Sequence, residues 1–264
     1  MITRILMVLF LSAYYTFCFS QWPSVRPHPQ AHAHNDYEHE RPLKEALQYG
    51  FALVEADVHL RNDKLVVAHE RASKRSPQLE QLYLKPLDSL LKLNGRIYIK
   101  GDDPFYLMID LKTEAEATYL AIKKILERYP RLLCSAQRCA VKIFLSGNRP
   151  IEELIKDGYH GIGLDGRPDD LGKGYPVEIM PVVSDNFNRW SNWNGRSDPD
   201  ANDLVRVRQL AKDVHAEGKK LRLWAAPDHE KGWTALLEAG VDLISTDHLK
   251  EFHEFLVMKE AQQK

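Results

Sequence analysis

The sequence predicts an α/β protein, a (β/α)8 TIM barrel with a short rim insertion, on three observations. Short β-branched runs alternate with amphipathic stretches from Ala31 onward, and several of those stretches stop at a glycine (Gly50, Gly158, Gly218, Gly240) just before the next run. Glycine at that place is the C-cap of a helix feeding a strand. Repeated strand–helix alternation calls for a parallel sheet with crossovers, and eight units in about 230 residues match the closed barrel. The competing open, doubly wound sheet would want a Gly-rich phosphate loop after its first strand. His32-Ala33-His34-Asn35-Asp36 stands there instead.

In chain order, the eight barrel strands are expected at 30–35, 52–59, 106–112, 140–146, 160–165, 179–184, 220–225 and 241–246. An extra short strand at 64–68 follows the second in hairpin fashion across Arg61-Asn62-Asp63. Helices are expected at 41–49, 114–128, 151–156, 201–217 and 231–238. The stretch 71–104 breaks the repeat, with a basic turn at Lys74 and Arg75 followed by a Leu-rich run, and reads as a helix and loop inserted on the rim. Two long loops, 166–176 and 187–200, follow the fifth and sixth strands, the second carrying Trp190 and Trp193. In a barrel the loops after strands build the substrate face, so both are positioned to touch a ligand or to pack onto their own barrel.

Composition narrows the function classes. With 36 Lys+Arg against 37 Asp+Glu, the chain has a net charge of −1 and no basic excess for nucleic acid. Arg4, the apolar run 5–19 and Cys18-Phe19-Ser20 together read as a signal peptide cut after Ser20, too short for a spanning helix. The expectation is therefore an exported chain (periplasmic or secreted) of one domain over 21–264, with no integral span after cleavage. Cys134 and Cys139 then remain, at a spacing that fits either a small disulfide loop in an oxidising compartment or two free thiols.

The chemistry gathers at the strand ends. Strand one ends in His34-Asn35, strand two contains Glu55-Ala56-Asp57, the hairpin ends in Ala68-His69, and strand three ends in Asp110-Leu111-Lys112. Side chains alternate along a strand, so Glu55 and Asp57 share one face, as do Asp110 and Lys112. Both acidic segments are otherwise apolar, and charges inside apolar runs are rarely buried unless paired or metal-bound. Three carboxylates converging in a barrel mouth need a cation, and oxygen-only donors suit one hard divalent ion, Mg2+ or Ca2+. His34 and His69 would flank it as general base and general acid.

These residues resemble the glycerophosphodiester phosphodiesterase superfamily, which also holds phosphatidylinositol-specific phospholipase C and venom sphingomyelinase D. The resemblance is carried by His34-Asn35, by Gly50 to Val58 with its Glu55-x-Asp57, by Lys64 to His69, and by Leu223-Trp224-Ala225 with Ala239 to Asp247. It implies a TIM-barrel phosphodiesterase in which His34 and His69 are catalytic and Glu55, Asp57 and Asp110 hold the metal. Asn35, Lys112 and Trp224 are then expected to contact substrate, Trp224 from the pocket floor. The chain departs from the glycerophosphodiesterase pattern at three points. Asn35 replaces the Arg that normally follows the first His, His39-Glu40-Arg41-Pro42 stands where Pro-Glu-Asn-Thr is usual, and Asp110 stands for a Glu. His34 to Tyr37, Tyr83 to Leu87 and Ser146 to Arg149 look closest to the altered-inheritance-of-mitochondria branch.

The expected function is hydrolysis of a small-molecule or lipid phosphodiester, by way of a cyclic phosphate if a neighbouring hydroxyl attacks. Two other readings compete. A metal-dependent amidohydrolase would use His32-x-His34, but wants His ligands after strands five and six, where Asp165 and Ser184 stand. A secreted binding module on an inactive barrel would have no use for two His and three acids held together.

Overall fold

The computed structural model describes residues 25–101, 104–135, 138–158, 161–200 and 202–262. The segment 1–20, expected to be a signal peptide, lies outside them with Cys18, as do the expected starts at His160 and Ala201. Among the described residues, nine strands form one sheet: β1 (His28–Ala33), β2 (Phe51–Arg61), β3 (Lys64–Val67), β4 (Phe105–Leu111), β5 (Val141–Gly147), β6 (Ile162–Gly166), β7 (Val182–Asn186), β8 (Lys220–Trp224) and β9 (Leu243–Thr246). Because β1 pairs in parallel with both β2 and β9, the sheet closes into an eight-stranded parallel barrel. β3 is the exception, an antiparallel strand on the outer end of β2, as the hairpin signal predicts. The expected sixth barrel strand starts three residues later than the pattern suggests, directly after Pro181, whose missing N–H cannot join a ladder.

Helices α1 (Lys44–Gln48), α2 (Lys85–Asn94), α3 (Ala115–Leu126), α4 (Ile151–Asp157), α5 (Val205–Ala216), α6 (Glu230–Glu238) and α7 (Leu249–Gln262) follow successive barrel strands, except between β6 and β7. There a loop with one 3-10 turn, Pro168–Asp170, makes the crossover, in the Gly- and Pro-rich stretch read as a long loop. Within the rim segment 71–104, α2 runs on from a π-helical turn (Glu80–Leu84) and buries Leu87, Leu90 and Leu91. It thus serves as the crossover from the hairpin to β4, while the preceding loop carries the departure from the repeat. Gly158 ends α4 at φ 75°, a left-handed C-cap that a side chain would strain.

Alternation along the strands divides the core. Val54, Ala56, Leu107 and Ile109 face outward into the large cluster shared with the helices. Leu53, Tyr106, Met108, Phe144, Val182 and Leu243 form a separate buried cluster on the inner faces. Each such side chain contributes about 1.5–3 kcal/mol on burial. The inner cluster fills the barrel beneath the polar residues and leaves the chemistry only the mouth. Cys134 and Cys139 are joined by a disulfide in the loop leading to β5, at the opposite end of that strand from the mouth. Among the described residues, no helix is long and apolar enough to cross a membrane.

Candidate active site

Register places the acids. Glu55 and Asp57 lie two apart on β2, and Asp57 pairs with Asp110 on β4. One carboxylate oxygen from each of Glu55, Asp57 and Asp110 lies within 4.8 Å of the others. Close approach at Asp110 is permitted by Gly147 on β5, at φ 68°, where a Cβ would collide with the Asp110 carboxylate and the Leu111 backbone. Asp57 is buried; its Oδ1 has no hydrogen bond, and its Oδ2 faces the Lys112 ammonium. Burial and the charge of Glu55 push its pKa up to about 6, against the lowering effect of Lys112. An all-oxygen set with an unsatisfied buried carboxylate fits a hard divalent cation.

Two protein cations already sit against this cluster. Lys112, just past β4, places Nζ 3.0 Å from Asp57 Oδ2 and 3.0 Å from Asp110 Oδ1. Burial opposes its charge, but Asp110 and Asp57 outweigh burial and raise its pKa. Arg222 on β8 reaches across the barrel interior to Glu55, with Nη2 3.2 Å from Oε2. Burial would raise the Glu55 pKa; Arg222 and His32 overcome it and hold the carboxyl at about 2. Contrary to the expectation of three unpaired like charges, the barrel supplies Arg222 and Lys112 as partial counter-charges, and Asp57 Oδ1 stays without a hydrogen bond.

Below the mouth runs a buried polar layer. Arg222 Nε donates to His32 Nδ1 at 3.2 Å, which leaves that nitrogen without a proton. His32 Nε2 then faces Glu55 Oε2 at 3.3 Å as an N–H. Burial dominates and lowers the His32 pKa to about 4, so the ring is neutral at physiological pH. Asp165 on β6 accepts from Ser146 Oγ (2.8 Å), Ser184 Oγ (2.6 Å) and Arg167 Nη1 (2.7 Å). His32 is thus locked inside the barrel.

His34 follows β1, its backbone N–H donating to Thr246 O at 3.2 Å. Its Nδ1 donates to Asp247 Oδ1 at 2.9 Å, leaving Nε2 as the titrating nitrogen. Burial lowers this imidazole's pKa, but the Asp247 hydrogen bond and the Glu55 and Asp247 charges outweigh it and raise the pKa overall. Asn35 adopts the left-handed conformation at φ 45°, which Asn tolerates better than most side chains, and accepts from Tyr37 Oη at 3.0 Å. The turn is pinned by buried Asp36, which accepts from Leu43 N (2.6 Å) and Tyr83 Oη (2.8 Å).

His69 leaves the hairpin beside the acids, since Ala68 N donates to the Asp57 carbonyl at 3.1 Å, and its side chain is exposed. Trp224 ends β8 and is 40% exposed, so it stands at the mouth rather than on the pocket floor. The floor belongs to the polar layer and the apolar cluster beneath it. Sequence alone gives no role to Arg222 and offers Asp247 only to the amidohydrolase reading, as the acid at the end of the eighth strand. Inward-facing Arg222, flanked by Leu221 and Leu223, was the available signal for the first, and the end of the last barrel strand for the second.

Comparison with known proteins bears on the family resemblance and the fold. Residues 23–132 match the AIM6-like phosphodiesterase domain. The chain is similar to altered inheritance of mitochondria protein 6 of Eremothecium gossypii, at 27% identity over 86% of this chain and 69% of that protein. It is also similar to a homologue in Arthroderma benhamiae, at 25% identity over 82% of this chain and 80% of that protein. Among solved structures it resembles a glycerophosphodiester phosphodiesterase from Parabacteroides distasonis. The TM-score is 0.60 at 18% identity, covering 91% of this chain and all of that one. The resemblance read from the sequence is borne out, and the barrel shares its fold with that solved structure.

Proposed function

We propose that this chain is a divalent-cation-dependent phosphoric diester hydrolase acting on a glycerophosphodiester- or phospholipid-type substrate. The observation that carries the reading is the convergence of Glu55, Asp57 and Asp110 within 4.8 Å at the barrel mouth, with Asp57 Oδ1 buried and without a hydrogen bond. Those three side chains would hold Mg2+ or Ca2+, which supplies charge neutralisation on the phosphate and a lowered pKa on the attacking hydroxyl.

The chain's own groups do the rest. His34, oriented by Asp247, accepts the nucleophile's proton at Nε2. His69 protonates the leaving oxygen. Lys112 adds positive charge for the non-bridging oxygens, while Asn35 and Trp224 contact the substrate, Trp224 as an exposed aromatic surface for the alcohol portion. Where the substrate carries a neighbouring hydroxyl, that hydroxyl attacks and the product is a cyclic phosphate. Export to an oxidising compartment is part of the same proposal, supported by the disulfide between Cys134 and Cys139.

The test is His34→Ala, compared with the unmodified protein in two assays. Mg2+ affinity by calorimetry is expected to stay unchanged while turnover of a glycerophosphodiester or lysophospholipid is lost. Retained turnover would sink the assignment.

A further inference from the structure

The outer end of the β2–β3 hairpin is electrostatically unfavourable as it stands. Arg61 and Lys64 are cross-strand partners in the antiparallel ladder, so two cations face each other across one pair position. Like charges directly opposite destabilise a strand pair. The loop at 71–78 brings Lys74 to the same place, and together these walls enclose a cavity of 270 Å3. It is lined by Arg61, Asn62, Lys64, Ser73, Lys74 and Ser76 among others, and by no carboxylate. Among the described residues, none of the three cations has an acidic ion-pair partner. Exposed Arg71 and Arg75 add positive charge nearby and exposed Asp63 and Glu70 offset it, which leaves the segment with a positive excess.

The walls are fixed. Arg61 donates to the Ala72 carbonyl, Val67 N donates to the Pro77 carbonyl at 2.8 Å, and Ser73 N donates to Ser76 Oγ at 2.9 Å. The turn Asn62-Asp63 has both residues at positive φ, which sets the hairpin tightly. Arg61 lies four residues beyond Asp57 on the same strand, about 13 Å further out from the barrel mouth. The cavity is therefore outside the catalytic cluster, on the substrate side of the barrel.

We propose that this cavity binds a phosphate group. Three cations, two hydroxyls and two amides (Asn62 and Gln78) around a volume of this size match a tetrahedral oxyanion, which would relieve the repulsion between Arg61 and Lys64. The phosphate comes either from an anionic lipid surface that holds the mouth against its substrate or from a free phosphate compound. Only the link to substrate delivery rests on the phosphodiesterase reading; binding itself does not.

The experiment uses the full-length protein labelled with 15N, titrated with inorganic phosphate in the presence of chelator. In parallel, vesicles of phosphatidylcholine alone and of phosphatidylcholine with phosphatidic acid are sedimented with the protein. Saturable amide shifts confined to 61–78 are expected. Lys64→Ala/Lys74→Ala should weaken phosphate binding about tenfold, while Lys212→Ala, on the exposed face of α5, should bind as the unmodified protein does. Added binding to the phosphatidic acid vesicles, lost in the double variant, identifies a lipid surface as the source. Phosphate binding without vesicle binding identifies a soluble phosphate. No shifts in 61–78, or equal binding by the double variant with an unchanged circular dichroism spectrum, overturns the proposal. No readout depends on turnover, so an inactive enzyme would leave the result intact.

Discussion

Glu55 and Arg222 meet across the interior of the barrel, guanidinium Nη2 to carboxylate Oε2 at 3.2 Å, both buried and both wedged against His32. The pair fixes one member of the acidic cluster and makes the β8 strand part of the site. Breaking a buried pair by removing one partner leaves an uncompensated charge. Arg222→Met should therefore destabilise the protein by about 3–5 kcal/mol in urea unfolding, and Glu55→Gln in that background should recover part of the loss. Additive losses would show that the two residues are not coupled.

His34 and Asp247 lead to a kinetic expectation. The acidic limb of the rate profile reports deprotonation of the base, and pairing with Asp247 raises the His34 pKa once the opposing effect of burial is overcome. Asp247→Ala should lower turnover by about two orders of magnitude and move that limb to lower pH. An unmoved limb would mean that the base is another group.

Asp36 governs stability against pH. Burial pushes its carboxyl up to about 7, against the lowering effect of hydrogen bonds from Tyr83 and Leu43. The folded chain thus keeps a proton that the unfolded chain releases at about pH 4, so this residue costs stability as pH rises from about 4 to 7, by as much as about 4 kcal/mol. Asp36→Asn has no such proton to lose and should flatten the stability profile across that window, gaining on the unmodified protein above it. Parallel profiles in denaturant titrations at each pH would refute this.

The Cys134–Cys139 disulfide closes a short loop at the end of β5 away from the acids. Loop entropy for so short a ring gives about 2 kcal/mol. Replacing both cysteines with serine should lower stability by that amount and leave Mg2+ affinity unchanged. A change in metal affinity would indicate that the loop acts on the site.

The barrel was legible because each element repeats one local rule: β-branched strands, an amphipathic helix, a glycine C-cap at Gly158 or Gly240. The acids were legible for a related reason, since Glu55, Asp57 and Asp110 interrupt otherwise apolar strands. Arg222 was not. Its sequence neighbours, Lys219 and Lys220, make it look like part of a basic surface, and only barrel closure turns it toward Glu55 across 167 residues. Trp224 was misplaced because periodicity gives the face of a strand but not the height at which it ends. The basic turn at Lys74 and Arg75 was visible, whereas its juxtaposition with Arg61 and Lys64 depends on the hairpin register.

The central claim is tested most directly by phosphorus NMR of the purified protein with a mixture of glycerophosphodiesters, a lysophospholipid and phosphatidylinositol, with Mg2+ or Ca2+ and again with chelator. A divalent-cation-dependent phosphodiesterase gives a new monoester or cyclic phosphate signal that disappears on chelation. Unchanged diester signals with each metal supplied would contradict it and remove the support for His34 and His69 as acid–base catalysts.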